Sequence, residues 1–366
     1  MNELLHQRPA DALSPAERRW AIDSLLQRLE RVERSCQGGF PLYSPGLTDR
    51  WVVSSGGSWL GGFWAGLWWL RARVTGVATD RAKAAAFGPR LAVKLESQSL
   101  NRSMIFWYGA APGALWFGDE QAQRLLEQAA AALGRAFDRE VGWIPLGTEM
   151  GGGADGDRRI AIDTLAPTLR LLAQSPRCDI RELAGQHLQA TLAACGTWQG
   201  AYCGSSHHEQ GRIVRHEPAG QWSRGQAWAM LGLVQAAGLY GEPYLDLARR
   251  ACDYWLRSRP DPLPANRLER PEEGEDPSAA VIAALAMLGL SSLLGGGGPW
   301  REQAECLAAA LLRSRHFGST GVTSGIFGGM CYRTQMGEEL VESACSSFFL
   351  LKLLLVLDGR VDPLAC

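Results

Sequence analysis

The sequence predicts an all-α protein, a closed (α/α)6 barrel in which six helical hairpins form a toroid. Helix-length segments follow one another along the chain, with almost no period-two alternation that would mark exposed-face strands. Several of these segments are apolar on nearly every side, as helices buried between layers are. Their connections are short on one side and long and Gly-rich on the other, which fits a ring of hairpins better than an open bundle.

Helical spacing covers Ser14–Val32, where Leu25, Leu26, Leu29 and Val32 share a side, then Trp59–Val74, Arg81–Glu96, Asn101–Trp116 and Glu120–Phe137. A Gly-rich loop over Gly142–Asp157 precedes Ile160–Ala173, Asp179–Ala194, Arg224–Leu239 and Pro243–Arg257. The last three segments are Ser278–Leu294, Pro299–Arg313 and Glu339–Leu357. No linker separates two compositions, so residues 1–366 read as one domain.

Composition removes several function classes. The chain has 37 basic and 38 acidic residues, a net charge of -1, and no polybasic run, which argues against nucleic acid or an anionic membrane as partner. The apolar stretch Phe348–Leu357 is interrupted by Lys352 and is too short to span a bilayer. Met1–Ala12 shows no basic region followed by an apolar one, so no secretory signal is expected. Nine scattered cysteines without a C-x-x-C pair read as reduced, mostly buried thiols of a cytoplasmic protein.

No cofactor or metal is expected. The run from Gly151 to Gly156 fits G-x-G-x-x-G in form but lacks the preceding strand and βαβ unit that a dinucleotide site needs, and it reads as loop. His207, His208 and Glu209 invite a metal reading, yet adjacent histidines point apart and nothing supplies the i, i+4 spacing of a zinc helix, so they read as a solvated loop. G-x-S-x-G is absent, and with it the usual serine elbow.

Two features point to a sugar site. The fourteen tryptophans gather near 51–69, 107–116 and 222–228, which suits either a large core or a carbohydrate platform. In Trp222-Ser223-Arg224-Gly225-Gln226-Ala227-Trp228, Ser223 and Gln226 have capping-box spacing before an apolar run, so a helix starts there with Arg224 in its first turn. Indole faces beside a guanidinium suit a flat anionic sugar, while an ordinary helix start with core tryptophans remains open. Asp163 lies among apolar residues ahead of a helix with Pro167 in its first turn. It reads either as an N-terminal cap or as a desolvated carboxyl group held protonated as a general acid.

Four segments together resemble the unsaturated glucuronyl hydrolases (glycoside hydrolase family 88, with family 105 as its relative). Trp59-Leu60-Gly61-Gly62-Phe63-Trp64-Ala65-Gly66 is similar to their W-x-x-G-F-W-x-G, and Ile160–Asp163 to their I-I-I-D. Trp222–Trp228 is similar to their W-x-R-G-Q-A-W, and Asp276–Ala280 to their D-S-S-A segment, in the same order and with similar spacing. The resemblance implies the (α/α)6 barrel and a pocket at one mouth. It also implies hydration of the C4=C5 double bond of an unsaturated uronic sugar, with Asp163 as acid/base, Trp59, Trp222 and Trp228 as stacking residues and Arg224 as a pocket arginine.

This resemblance places Trp64, Gln226, Ser103, Gln199 and His216 at the substrate as well. The last three are departures. Ser103 stands where the family has a second aspartate, with Asn101 and Arg102 in place of its histidines. Gln199 replaces a pocket histidine, His216 is an approximate equivalent in a shortened loop, and Cys345-Ser346 replaces a Gly-Asp pair. The expected partner is a small sugar or sugar-containing molecule. The leading function is hydration of the vinyl ether; the alternatives are a sugar-binding protein without turnover, or a tailoring dehydratase or cyclase on the same scaffold.

Overall fold

The computed structural model describes residues 12–46, 48–318 and 321–365. Most of Met1–Ala12, where no leader segment is expected, lies outside them. No helix among the described residues is long and apolar enough to cross a membrane.

Six helices form an inner ring: α2 (Gly61–Thr75), α4 (Arg102–Phe117), α6 (Leu165–Ala173), α8 (Ser223–Tyr240), α10 (Pro277–Leu293) and α12 (Ala344–Leu357). Each packs on the next, and α12 returns to α2 to close the circle. Around them stand α1 (Pro15–Ser35), α3 (Ala78–Leu91), α5 (Glu120–Arg135), α7 (Cys178–Cys195), α9 (Tyr244–Ser258) and α11 (Pro299–Leu312). This is the (α/α)6 toroid expected from the sequence. The two rings differ in patterning for a physical reason. An inner helix meets protein on all sides, and every residue of α10 from Pro277 to Ser291 is buried. An outer helix keeps one face in water, so α9 buries only Ala248, Ala251, Cys252 and Trp255, one apolar stripe at i, i+3, i+4, i+7.

The inner ring depends on close backbone approach. A Cβ added to Gly62 on α2 would sit 2.4 Å from Ile105 Cα and 2.5 Å from its carbonyl oxygen on α4, atoms that cannot swing aside. Gly62→Ala is therefore expected to push α2 and α4 apart and cost roughly 3 kcal/mol, the upper part of the overpacking range. A urea denaturation midpoint equal to wild type would refute this.

Strand content departs from expectation. β1 (Phe40–Pro45), β2 (Val52–Ser54), β6 (Met330–Thr334) and β7 (Gly337–Ser343) form one antiparallel sheet in the order β2-β1-β7-β6. A second sheet runs β3 (Arg159–Ala161), β4 (Ser205–Glu209), β5 (Arg212–Val214). The segments read as helix over Ile160–Ala173 and Glu339–Leu357 thus begin as strands. Ile160 pairs with Ser206, and Val341 pairs with both Met330 and Pro45. These strands hide from a periodicity reading because β7 does not alternate: its exposed residues come first and its buried ones last. Tertiary pairing decided their state. His207, His208 and Glu209 lie on β4, not in a solvated loop.

Candidate active site

The barrel arranges its inner helices so that several N-terminal ends meet at one mouth, around a cavity of about 810 Å³. Trp59 lies just before α2, Asn101 caps α4, Asp163 precedes α6, Trp222 caps α8 and Cys345 is in the first turn of α12; all of them line the cavity. Unpaired amides and aligned peptide dipoles make such ends mildly positive and favour an anionic ligand. The two sheets add Arg159 and His207 on one and Tyr332 and Arg333 on the other, and loops add residues such as Glu217 and Arg267.

Asp163 does not cap a helix. The N-cap of α6 is Thr164, which makes no side-chain cap, and Oδ1 of Asp163 is shielded from solvent with no hydrogen-bond partner. Burial pushes its carboxyl from 3.8 up to about 6, against the opposing pull of the Arg224 and Arg159 guanidinium groups. A carboxyl group of that kind holds its proton close to neutral pH and can give it up.

Arg224 is fixed from three directions. It forms an ion pair with Asp276, donates to the Cys331 carbonyl at 3.0 Å and lies 5.2 Å from the centre of the Trp222 ring. Asp276 in turn accepts from the Ser278 hydroxyl at 2.5 Å. The Trp222 ring lies flat along its own helix because residue 225 is glycine: a Cβ there would meet Trp222 Cε3 at 2.4 Å. So the D-x-S and W-x-R-G segments, 52 residues apart in sequence, form one unit. Trp59 stands beside Tyr332, with ring centres 6.3 Å apart.

Of the residues expected at the substrate, Asp163, Trp59, His216, Trp222, Arg224 and Trp228 line the cavity. Four do not. Trp64 is in the core and donates its indole N–H to Glu33 on the outer helix α1 at 3.3 Å. Ser103 is fully buried in α4, its hydroxyl without a partner, while Asn101 lines the cavity instead. Gln199 is exposed in a turn outside the cavity. Gln226 is a structural brace: its side chain accepts from the Tyr202 N–H at 2.9 Å and donates to the Gly200 and Ala251 carbonyls at 2.8 and 3.3 Å. The capping box is likewise replaced. α8 begins at Ser223 as expected, but Trp222 is its N-cap, and the Ser223 hydroxyl donates to the Ala265 carbonyl at 2.6 Å.

Several cavity residues escaped the sequence reading. Glu217 and Arg267 form an ion pair at 3.0 Å, so Asp163 is the cavity's carboxyl group without a salt-bridge partner. Arg333 reaches Glu338 at 3.4 Å. Arg159 differs from these: it donates to the Gly152 carbonyl and the Ser205 hydroxyl, makes no ion pair among the described residues, and its Nε is buried without a partner. Arg159 lies one residue before the helix expected over Ile160–Ala173, and the strand β3 aims its side chain at the mouth.

No family model matches the sequence. The chain is similar to an unsaturated glucuronyl hydrolase from Bacillus sp. (strain GL1), 28% identical over 292 residues, which cover 72% of this chain and 75% of that protein. Among solved structures, the crystal structure of unsaturated glucuronyl hydrolase from Bacillus sp. GL1, responsible for the degradation of glycosaminoglycan, superposes with a TM-score of 0.81 at 22% identity, covering 93% of this chain and 97% of that one. A UGL variant with dGlcA-Glc-Rha-Glc gives a TM-score of 0.83 at 23% identity, covering 93% and 96%.

Proposed function

Since the chain has the fold of the unsaturated glucuronyl hydrolases and is related to one of them in sequence, we propose that it is a carbohydrate-active hydrolase that hydrates the C4=C5 vinyl ether of an unsaturated uronic sugar. The observation that carries this reading is Asp163: a carboxyl group lining the cavity, unpaired at Oδ1 and held at about 6 by burial. Its proton goes to C4, and the carboxylate left behind takes a proton from the water that attacks C5. The hemiketal so formed collapses and releases the partner sugar. One carboxyl group acting in turn as acid and base is enough, and the two-carboxylate spacing of ordinary glycosidases does not apply. Ser103, buried away from the cavity, then needs no role in proton transfer.

Binding follows from the walls. The indoles of Trp59, Trp222 and Trp228 offer apolar faces to a sugar ring. Arg159, unpaired, is the donor we assign to the sugar carboxylate, since a guanidinium matches a carboxylate in a fork of two hydrogen bonds. Arg224 is already neutralised by Asp276 and serves to fix the Trp222 platform.

Incubation with a Δ4,5-unsaturated uronyl disaccharide tests the reading. The expected result is loss of the ultraviolet absorbance of the conjugated double bond, with release of one partner sugar per bond lost. Saturable quenching of tryptophan fluorescence with no loss of absorbance would replace hydrolysis by sugar binding on the same scaffold.

A further inference from the structure

Beside the acid at the cavity's centre, a second constellation lies at its rim. His207 and Glu209 are two residues apart on β4 and therefore point to the same side of the strand. His216 follows β5 and returns to that side. One ligand-capable atom of each of the three lies within 4.8 Å of the others. The His216 and Glu209 side chains meet at 2.8 Å, and the two imidazole rings have centres 4.4 Å apart. His207 Nδ1 is shielded from solvent and has no hydrogen-bond partner.

From this clustering we infer that His207, Glu209 and His216 form a binding site for a divalent transition ion of the zinc class at the cavity rim. Two imidazoles and one carboxylate are a donor set that zinc takes readily, with a further position left for water or a substrate oxygen. The scaffold is stiff. Gln210 and Gly211 join β4 to β5 with φ of 50° and 78°, the two positive values of a tight type I′ hairpin, and β4 is also paired to β3. Arg159 on β3 is the neighbouring charge that opposes a cation, and Glu209 offsets it. Because His207 and His216 both line the cavity, an ion held there would stand at its edge and could take an anionic oxygen of the sugar.

The ordinary alternative is a His216–Glu209 ion pair with a neighbouring histidine, and metal binding separates the two. The full chain, stripped with chelator and carrying Cys178→Ser to remove the thiol that is exposed among the described residues, is titrated with Zn²⁺ by calorimetry and with Co²⁺ by visible absorption. The expected result is one ion per chain, with Co²⁺ bands of nitrogen and oxygen ligation and no near-ultraviolet thiolate band. His207→Ala and His216→Ala should each weaken binding roughly a hundredfold, and the milder Glu209→Gln about tenfold, on the scale seen when metal-site partners are removed. No saturable site, or one indifferent to all three substitutions, overturns the inference. Both titrations run without sugar, so their failure leaves the role of Asp163 untouched.

Discussion

Asp163→Asn is expected to lower kcat on an unsaturated uronyl disaccharide by roughly 10³-fold, within the range that general acid–base catalysis contributes, and to raise stability at neutral pH. Both effects come from the same burial. The carboxyl group titrates at about 6 in the folded protein against 3.8 when free. Between these values the folded state holds the extra proton, so Asp163's contribution to stability is most favourable at low pH and is lost as pH rises through about 6. Above that, an ionised, poorly solvated carboxylate costs on the order of 3 kcal/mol, and an amide of the same shape relieves it. The wild-type rate, where it depends on the protonated acid, should fall tenfold per pH unit above about 6. Vinyl absorbance assays and thermal melts at pH 7.5 read both quantities. A fully active Asp163→Asn protein would remove this residue from the chemistry, and a lower Tm would contradict the burial argument.

Arg28→Ala is expected to destabilise the fold by about 3–5 kcal/mol, as breaking a buried ion pair does. Arg28 on α1 donates twice to Glu342 on β7, at 3.0 and 2.7 Å, and to Asp49 at 2.6 Å. Arg28 is 4% exposed and Glu342 1%, so water cannot replace the lost partner. Burial already pushes the Glu342 carboxyl up, with Arg28 opposing it. Without Arg28 the carboxyl rises further and the folded state holds a proton that the unfolded chain releases. The sign follows: the deficit should shrink as pH is lowered toward the carboxylate range and be largest at neutral pH and above. Chemical denaturation at two pH values measures it. Arg28→Met with Glu342→Leu, which removes both charges, should recover much of the loss; if it does not, the cost lies in packing and not in the stranded charge.

The ring of helices was legible in the sequence because burial on all sides leaves long apolar runs such as Pro277–Ser291. The centre of the site was legible because Trp59, Asp163, Trp222 and Arg224 sit at helix starts inside recognisable segments. Those same segments misled where they serve packing: Trp64 and Gln226 belong to W-x-x-G-F-W-x-G and W-x-R-G-Q-A-W, yet the first is core and the second braces a loop. Apart from His216, the rim was not legible. Arg159, His207, Tyr332 and Arg333 reach the cavity from short strands that show no alternation; β3 is placed by pairing with the distant β4, and the β6–β7 hairpin by pairing with the distant β1.

The two small sheets divide the molecule's labour in a way that bears on its history. Cohesion resides in the helical ring and in the closure between α1 and β7, while much of the mouth is drawn from hairpins whose tips face water: Met336 is 90% exposed. Substitutions or changes of length in the β4–β5 and β6–β7 turns meet little of the core, so selection can remodel what the mouth accepts while Asp163 at its base stays in place.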